Sequence, residues 1–104
     1  MARKPASGPS NDPELLILSS LAQGSKHGYA IMTDVAAFAG VDLGPGTLYT
    51  AISRLVENQW IEPCEAVGRQ RPYRLTSAGR THLHAQLEQM RRLATLGLRR
   101  LRTT

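Results

Sequence analysis

A chain of 104 residues has room for one small domain, because at this length only about 60 to 70 % of the unfolded surface is buried and two separate cores cannot be sustained. With 13 Lys+Arg against 8 Asp+Glu the formal charge is +5, which favours a polyanionic partner such as nucleic acid or an acidic membrane surface. The longest aliphatic run, Leu15 to Leu18, is too short for a bilayer, the N-terminus has no apolar signal core, and the single cysteine, Cys64, has no partner for an internal disulfide, so a soluble protein of a reducing cytoplasm is expected, with no membrane partner.

Residues 1–12 are rich in Pro, Ser, Gly and Ala and carry two cations, a composition that buries too little to order itself and reads as a flexible basic N-terminal arm. Asn11 or Asp12 is placed to cap a first helix with Pro13 at its first position. Leu15, Leu16, Leu18 and Leu21 then make that helix largely buried as far as Gly24. After the break "GSKHG" a second helix is expected over Tyr29 to Ala39. Its inward stripe reads Ile31, Met32, Val35 and Phe38, and Gly40 ends it.

A third helix starts at Pro45 and runs to residue 58, with Leu48, Ile52, Leu55 and Val56 inward. Its other face carries Thr47, Tyr49, Thr50, Ser53, Arg54 and Glu57. The period then changes: "WIEPCEAVGRQRPYRLT" holds two strand-like pieces, Trp60 to Cys64 and Tyr73 to Leu75, around a tip at residues 66 to 72. Thr76 caps a last helix from about Ser77 to Arg102, where Leu83, Leu87, Met90, Ala94, Gly97 and Leu101 recur at alternating steps of four and three. The chain therefore reads as mainly α with a small β-hairpin. Helix, helix, helix, hairpin, long helix is the order of a winged helix-turn-helix, residues 13–76, followed by a C-terminal dimerisation helix, residues 77–104.

Three separated stretches, "LLILSSLAQGSKHGYAI", "LGPGTLYTAISRLVENQWIE" and "GRQRPYRLTSAGR", resemble the PadR-type transcriptional regulators in order and register from Leu15 to Arg80. The tail resembles the subgroup with one C-terminal helix. The resemblance implies a dimeric bacterial repressor, cytoplasmic and associated with the nucleoid, that occupies a palindromic operator on double-stranded DNA and leaves it when a small-molecule effector binds. It places the family's "GTLY" on Gly46, Thr47, Leu48 and Tyr49 and the wing arginines on Arg69, Arg71 and Arg74. Family members usually have proline after the tyrosine, where this chain has Thr50, and glycine before the first wing strand, where it has Gln59. Asn58, which tolerates a left-handed conformation, is therefore expected to terminate the third helix.

These positions make physical sense. A helix N-terminus presents free N–H groups and a positive dipole end, and Gly44 and Gly46 let the backbone approach a phosphate closely. Gly46, Thr47, Tyr49, Thr50, Ser53 and Arg54 then form one polar face with hydroxyl donors, a methyl group that suits thymine and a cation. The bland alternative makes Gly44-Pro45-Gly46 a mere turn. Arg69, Arg71 and Arg74 suit the minor groove or flanking phosphates, though a charged wing also protects a sheet edge from pairing. Leu83, Leu87, Met90, Ala94 and Leu101 have no core left to cover in so small a domain, which points to a second copy in an isologous contact. The arginines at 91, 92, 99, 100 and 102 read as the solvated face of the same helix.

Trp60 and Tyr73 are expected on facing strands as core or strand-pair residues. An effector site lined by Leu15, Leu18, Met90 and Leu93 is one candidate, and a redox role for Cys64 is disfavoured. His27, His82 and His84 lack metal-ligand spacing, and no nucleophile-base pair, paired carboxylates or phosphate loop occurs, so neither cofactor nor enzyme is expected. The rival function is a winged-helix protein-interaction module without sequence-specific DNA binding.

Overall fold

The computed structural model describes residues 12–103. The element order is α1 (Pro13–Leu21), β1 (Lys26–His27), α2 (Gly28–Ala39), α3 (Pro45–Glu57), β2 (Ile61–Pro63), β3 (Pro72–Leu75) and α4 (Ser77–Arg102). The proposed basic arm, apart from Asp12, lies outside the described residues.

Each helix begins where local chemistry allows it. Asp12 caps α1 by accepting from the Glu14 N–H at 3.0 Å, with Pro13 in the first turn. Leu15, Leu16, Ile17, Leu18 and Leu21 are all buried, so α1 is apolar around most of its circumference and sits at the centre of the domain. His27 caps α2 through Nδ1, which accepts from the Ala30 N–H at 3.3 Å, and Gly40 closes it in the left-handed region at φ 67°. Ile31 and Val35 point into the core as expected. Phe38 does not: it is 51 % exposed beside Ser19, Gln23 and Asp34, where α1 is ending and the core has no further depth.

The hairpin is part of a three-stranded antiparallel sheet in the order β1-β3-β2. Lys26 pairs with Tyr73 and His27 with Pro72 on one side of β3, while Ile61 pairs with Leu75 and Pro63 with Tyr73 on the other. The supposed break at "GSKHG" thus contains a strand. Two residues are too few to show alternation, and their partner lies more than forty positions away in sequence.

Asn58 ends α3 as its C-cap, as expected, but the conformation differs: Asn58 stays right-handed at φ −81°, ψ −1°, and Gln59 takes the left-handed conformation at φ 63°. The Trp60 N–H bonds to the Leu55 carbonyl at 3.0 Å and the Gln59 N–H to that of Val56 at 2.9 Å, the paired closure in which the left-handed residue lies one past the cap. Trp60 precedes β2 instead of pairing across it, and its ring stacks on His82 of α4 with centroids 3.6 Å apart. Ile17, Leu18, Leu21, Ile31, Leu48, Leu55 and Ile61 form the centre of the core, and Leu83 of α4 closes it from the far side.

Candidate nucleic-acid interface

The polar face of α3 stands free because its apolar face is consumed by the core. Leu48, Ala51, Ile52 and Leu55 are buried, while Gly46, Thr47, Tyr49, Thr50, Ser53 and Arg54 are exposed. The hydrophobic residues recur at three and four positions, so the hydroxyls and Arg54 between them are turned outward together. Gly44 caps α3 without a side-chain hydrogen bond, which leaves first-turn N–H donors at the glycine-flanked end of this face.

Tyr49 is half exposed, with its hydroxyl end lying over the backbone of Gly28: a methyl group on Gly28 would stand 2.8 Å from the Tyr49 Cζ. The absent side chain at position 28 is what lets the tyrosine cross from α3 to the start of α2. There it borders a concavity with His27, Tyr29, Arg69, Arg71 and Tyr73, so Tyr49 and two of the expected wing arginines meet on one surface.

The wing itself is a tight turn. Val67 and Gln70 pair as an isolated bridge around Gly68, at φ 63°, and Arg69. Arg69 and Arg71 are exposed. Arg71 donates to the Cys64 carbonyl at 2.8 Å, which ties the returning arm of the wing to the outgoing one. Arg74 lies further back on β3 and donates to Glu62 Oε2 at 2.7 Å. That hydrogen bond and the Glu62 charge raise the guanidinium pKa above its ordinary value, and the pair leaves Arg74 less available than Arg69 and Arg71.

A second groove runs where α3 meets the start of α1, bordered by Asp12, Glu14, Gly46, Thr47, Thr50 and Arg54. Arg54 forms a 3.9 Å ion pair with Glu14 across it. Of the residues selected from sequence, Tyr49 therefore borders the wing tip, Ser53 lines a groove with Arg71, and Gly46, Thr47, Thr50 and Arg54 face α1. Sequence reading missed Tyr29, which is 70 % exposed beside Tyr49, and the helix-capping role of His27. The available signal was "HGY", a capping side chain, a glycine and an exposed aromatic at a helix start.

On α4 the expected seam is partly corrected. Leu83 is 5 % exposed and belongs to the protomer's own core, because α4 packs against α1. Met90 is half-buried against the same core, whereas Leu87, Ala94 and Leu101 are exposed. The four residues offered as an effector site do not line one cavity: Leu15 and Leu18 are buried and Leu93 is 68 % exposed. Among the described residues no group of three His, Cys, Asp or Glu is placed to hold a metal, and no helix is long and apolar enough to cross a membrane.

Comparison with known proteins accords with this geometry. Over 84 residues the chain is 46 % identical to an uncharacterized 37.1 kDa protein in transposon TN4556 of Streptomyces fradiae. That match spans 81 % of this chain but 24 % of the relative, so the chain corresponds to about a quarter of that protein's length. The fold matches a PadR family transcription regulator from Clostridium difficile with a TM-score of 0.74 at 24 % identity, covering 81 % of this chain and 92 % of that one. It also matches Bacillus subtilis PadR in complex with operator DNA, with a TM-score of 0.62 at 22 % identity over 71 % of this chain and 45 % of that one. The model of the transcriptional regulator PadR-like family matches residues 17–85, which hold α3, the wing and the sheet that joins them, and the chain belongs to that family of transcriptional regulators.

Proposed function

We propose that this chain is a homodimeric, sequence-specific DNA-binding repressor. In this reading α3 lies in the major groove, the wing grips the backbone beside it, and a small-molecule effector releases the complex. The observation that carries the reading is that Gly46, Thr47, Tyr49, Arg69 and Arg71 are all exposed, with Tyr49 and the two wing arginines bordering one concavity beside the side of α3 that the core leaves free. Bacillus subtilis PadR, whose fold this chain shares, has been solved in complex with operator DNA, which supports DNA as the partner. Division of the chain at residues 76 and 77 into a DNA-binding unit and a dimerisation helix belongs to this reading.

Phosphate contacts from Arg69, Arg71 and the N-terminus of α3 supply affinity, and the hydroxyls and Arg54 supply discrimination. The test is fluorescence anisotropy of the full chain against the DNA upstream of its own gene and against a scrambled duplex, at two salt concentrations. Preference for its own DNA by about 10³ or more supports specific regulation. Equal and steeply salt-dependent binding to both overturns it in favour of a protein-docking module. An effector is sought by thermal stabilisation with a small-molecule panel, where a ligand that raises the melting temperature and lowers DNA affinity supports release.

A further inference from the structure

The junction between the reading unit and α4 is fixed by more bonds than capping a helix requires. Thr76 Oγ1 accepts from the Gly79 N–H at 2.9 Å and donates to the Gln59 carbonyl at 2.7 Å. The Thr76 N–H donates to the Trp60 carbonyl at 3.0 Å. Gly79 is buried against the same residue: a Cβ there would stand 2.7 Å from the Trp60 carbonyl carbon and closer still to its oxygen, so α4 packs backbone to backbone on the residue that leads into the wing. One turn further on, the His82 ring stacks on Trp60, 10° from parallel. Gln59 and Trp60, which receive all these contacts, join the end of α3 to β2, and Gln59 is the non-glycine residue with positive φ among those described.

We propose that Thr76, Gly79 and His82 are positioning residues that set the angle of α4 relative to α3 and the wing, and thereby the spacing of the two half-sites a dimer accepts. The proposal rests on the dimeric DNA-binding reading above. Its magnitude follows from the length of α4. Relieving a Cβ at position 79 needs about 1.5 Å of separation from the Trp60 carbonyl. Pivoting on Leu83, four residues or about 6 Å along the axis, this tilts α4 by roughly 14°. Over the 18 residues from Leu83 to Leu101, about 27 Å, that tilt becomes a displacement of about 7 Å. Two base-pair steps of about 3.4 Å cover the same distance.

The test uses the full chain as wild type, Gly79→Ala and His82→Ala, the second of which removes the stack without the steric clash. Duplexes are first selected from a random pool by the wild type. Affinity is then measured for the selected palindrome, for versions with the half-sites moved by one or two base pairs, and for a single half-site. The expected result is half-site affinity within about twofold of wild type, a loss of about tenfold or more on the original palindrome, and an optimum spacing that moves or broadens. Trp60 is the sole tryptophan, so its emission, altered in His82→Ala, reports the joint directly. Variants that fold and dimerise yet keep the wild-type spacing profile overturn the proposal. A wild type that binds its selected DNA with no dependence on spacing does the same. Failure of the wild type to select any sequence removes the parent reading instead, and is recognisable because it appears before any variant is made.

Discussion

Tyr49 owes its place to a hydrogen atom: only because residue 28 is glycine does the ring reach across to the start of α2. Gly28→Ala meets the far end of a flexible side chain, so the fold gives way by moving the tyrosine. Melting temperature should change little, while preference for operator over scrambled DNA falls; an unchanged preference means that Tyr49 does not read DNA from this position. Replacing Tyr49 and Thr50 together with alanine should cost more preference, about 10-fold to 100-fold, since a good base contact contributes about 1–3 kcal/mol of discrimination. Arg71→Ala has another signature. Its guanidinium is exposed and held by a backbone carbonyl rather than a carboxylate, so its full charge remains for a phosphate. Affinity for operator and scrambled DNA should fall alike, and the slope of log affinity against log salt should shrink by about 0.9. A slope identical to that of the wild type would place Arg71 away from the backbone.

At the scale of elements, most of the fold was legible because the helices advertise their ends and their buried stripes. Asp12-Pro13, Gly40, Pro45 and Thr76 mark boundaries that the structure shares, and the Leu48, Ile52, Leu55 spacing identified the inward face of α3 together with its polar opposite. What sequence could not carry was made by partners distant along the chain. Lys26 and His27 become a strand because β3 offers a free edge, and Gly79 looks like an ordinary helix-weakening glycine until the Trp60 carbonyl lies against it. Of the candidate site, the outward placement of the α3 residues and of the wing tip was readable from position and type. Tyr29 was not, since an aromatic near a helix stripe looks like core until the fold shows it 70 % exposed. A similar hidden link joins α1 to α2: the buried Ser20 hydroxyl donates to Asp34 Oδ2 at 2.6 Å, and Lys26 Nζ binds the Ser20 carbonyl. Ser20→Ala strips a charged acceptor of this bond and should lower stability by about 1–3 kcal/mol in urea denaturation, with operator preference unchanged at temperatures where the domain stays folded. A neutral effect would mean that water takes over the hydroxyl's role.

The molecule as a whole leaves its last helix incompletely used. From Arg91 to Leu96, and again from Leu98 to Arg102, every residue of α4 is exposed, although Leu93, Leu96, Leu98 and Leu101 are among them. A helix with that much apolar surface outside its own core is stabilised by an apolar partner, and a two-fold pairing of α4 with itself would present two copies of the α3 face to DNA. Ala94 discriminates this arrangement from a solvated helix. It is exposed in the protomer and is a position where glutamate is tolerated in an isolated helix, so Ala94→Glu has no intramolecular reason to destabilise the fold. If Ala94 lies near the two-fold axis, the substitution instead brings two carboxylates together between apolar surfaces. The wild type should then sediment as a dimer at micromolar concentration and Ala94→Glu as a monomer with the same helical signal. Affinity for a palindrome should fall towards that for one half-site, because the second half-site is no longer reached through a shared helix. A monomeric wild type would remove the pairing altogether, and a variant that remains dimeric would move the contact away from this face of α4.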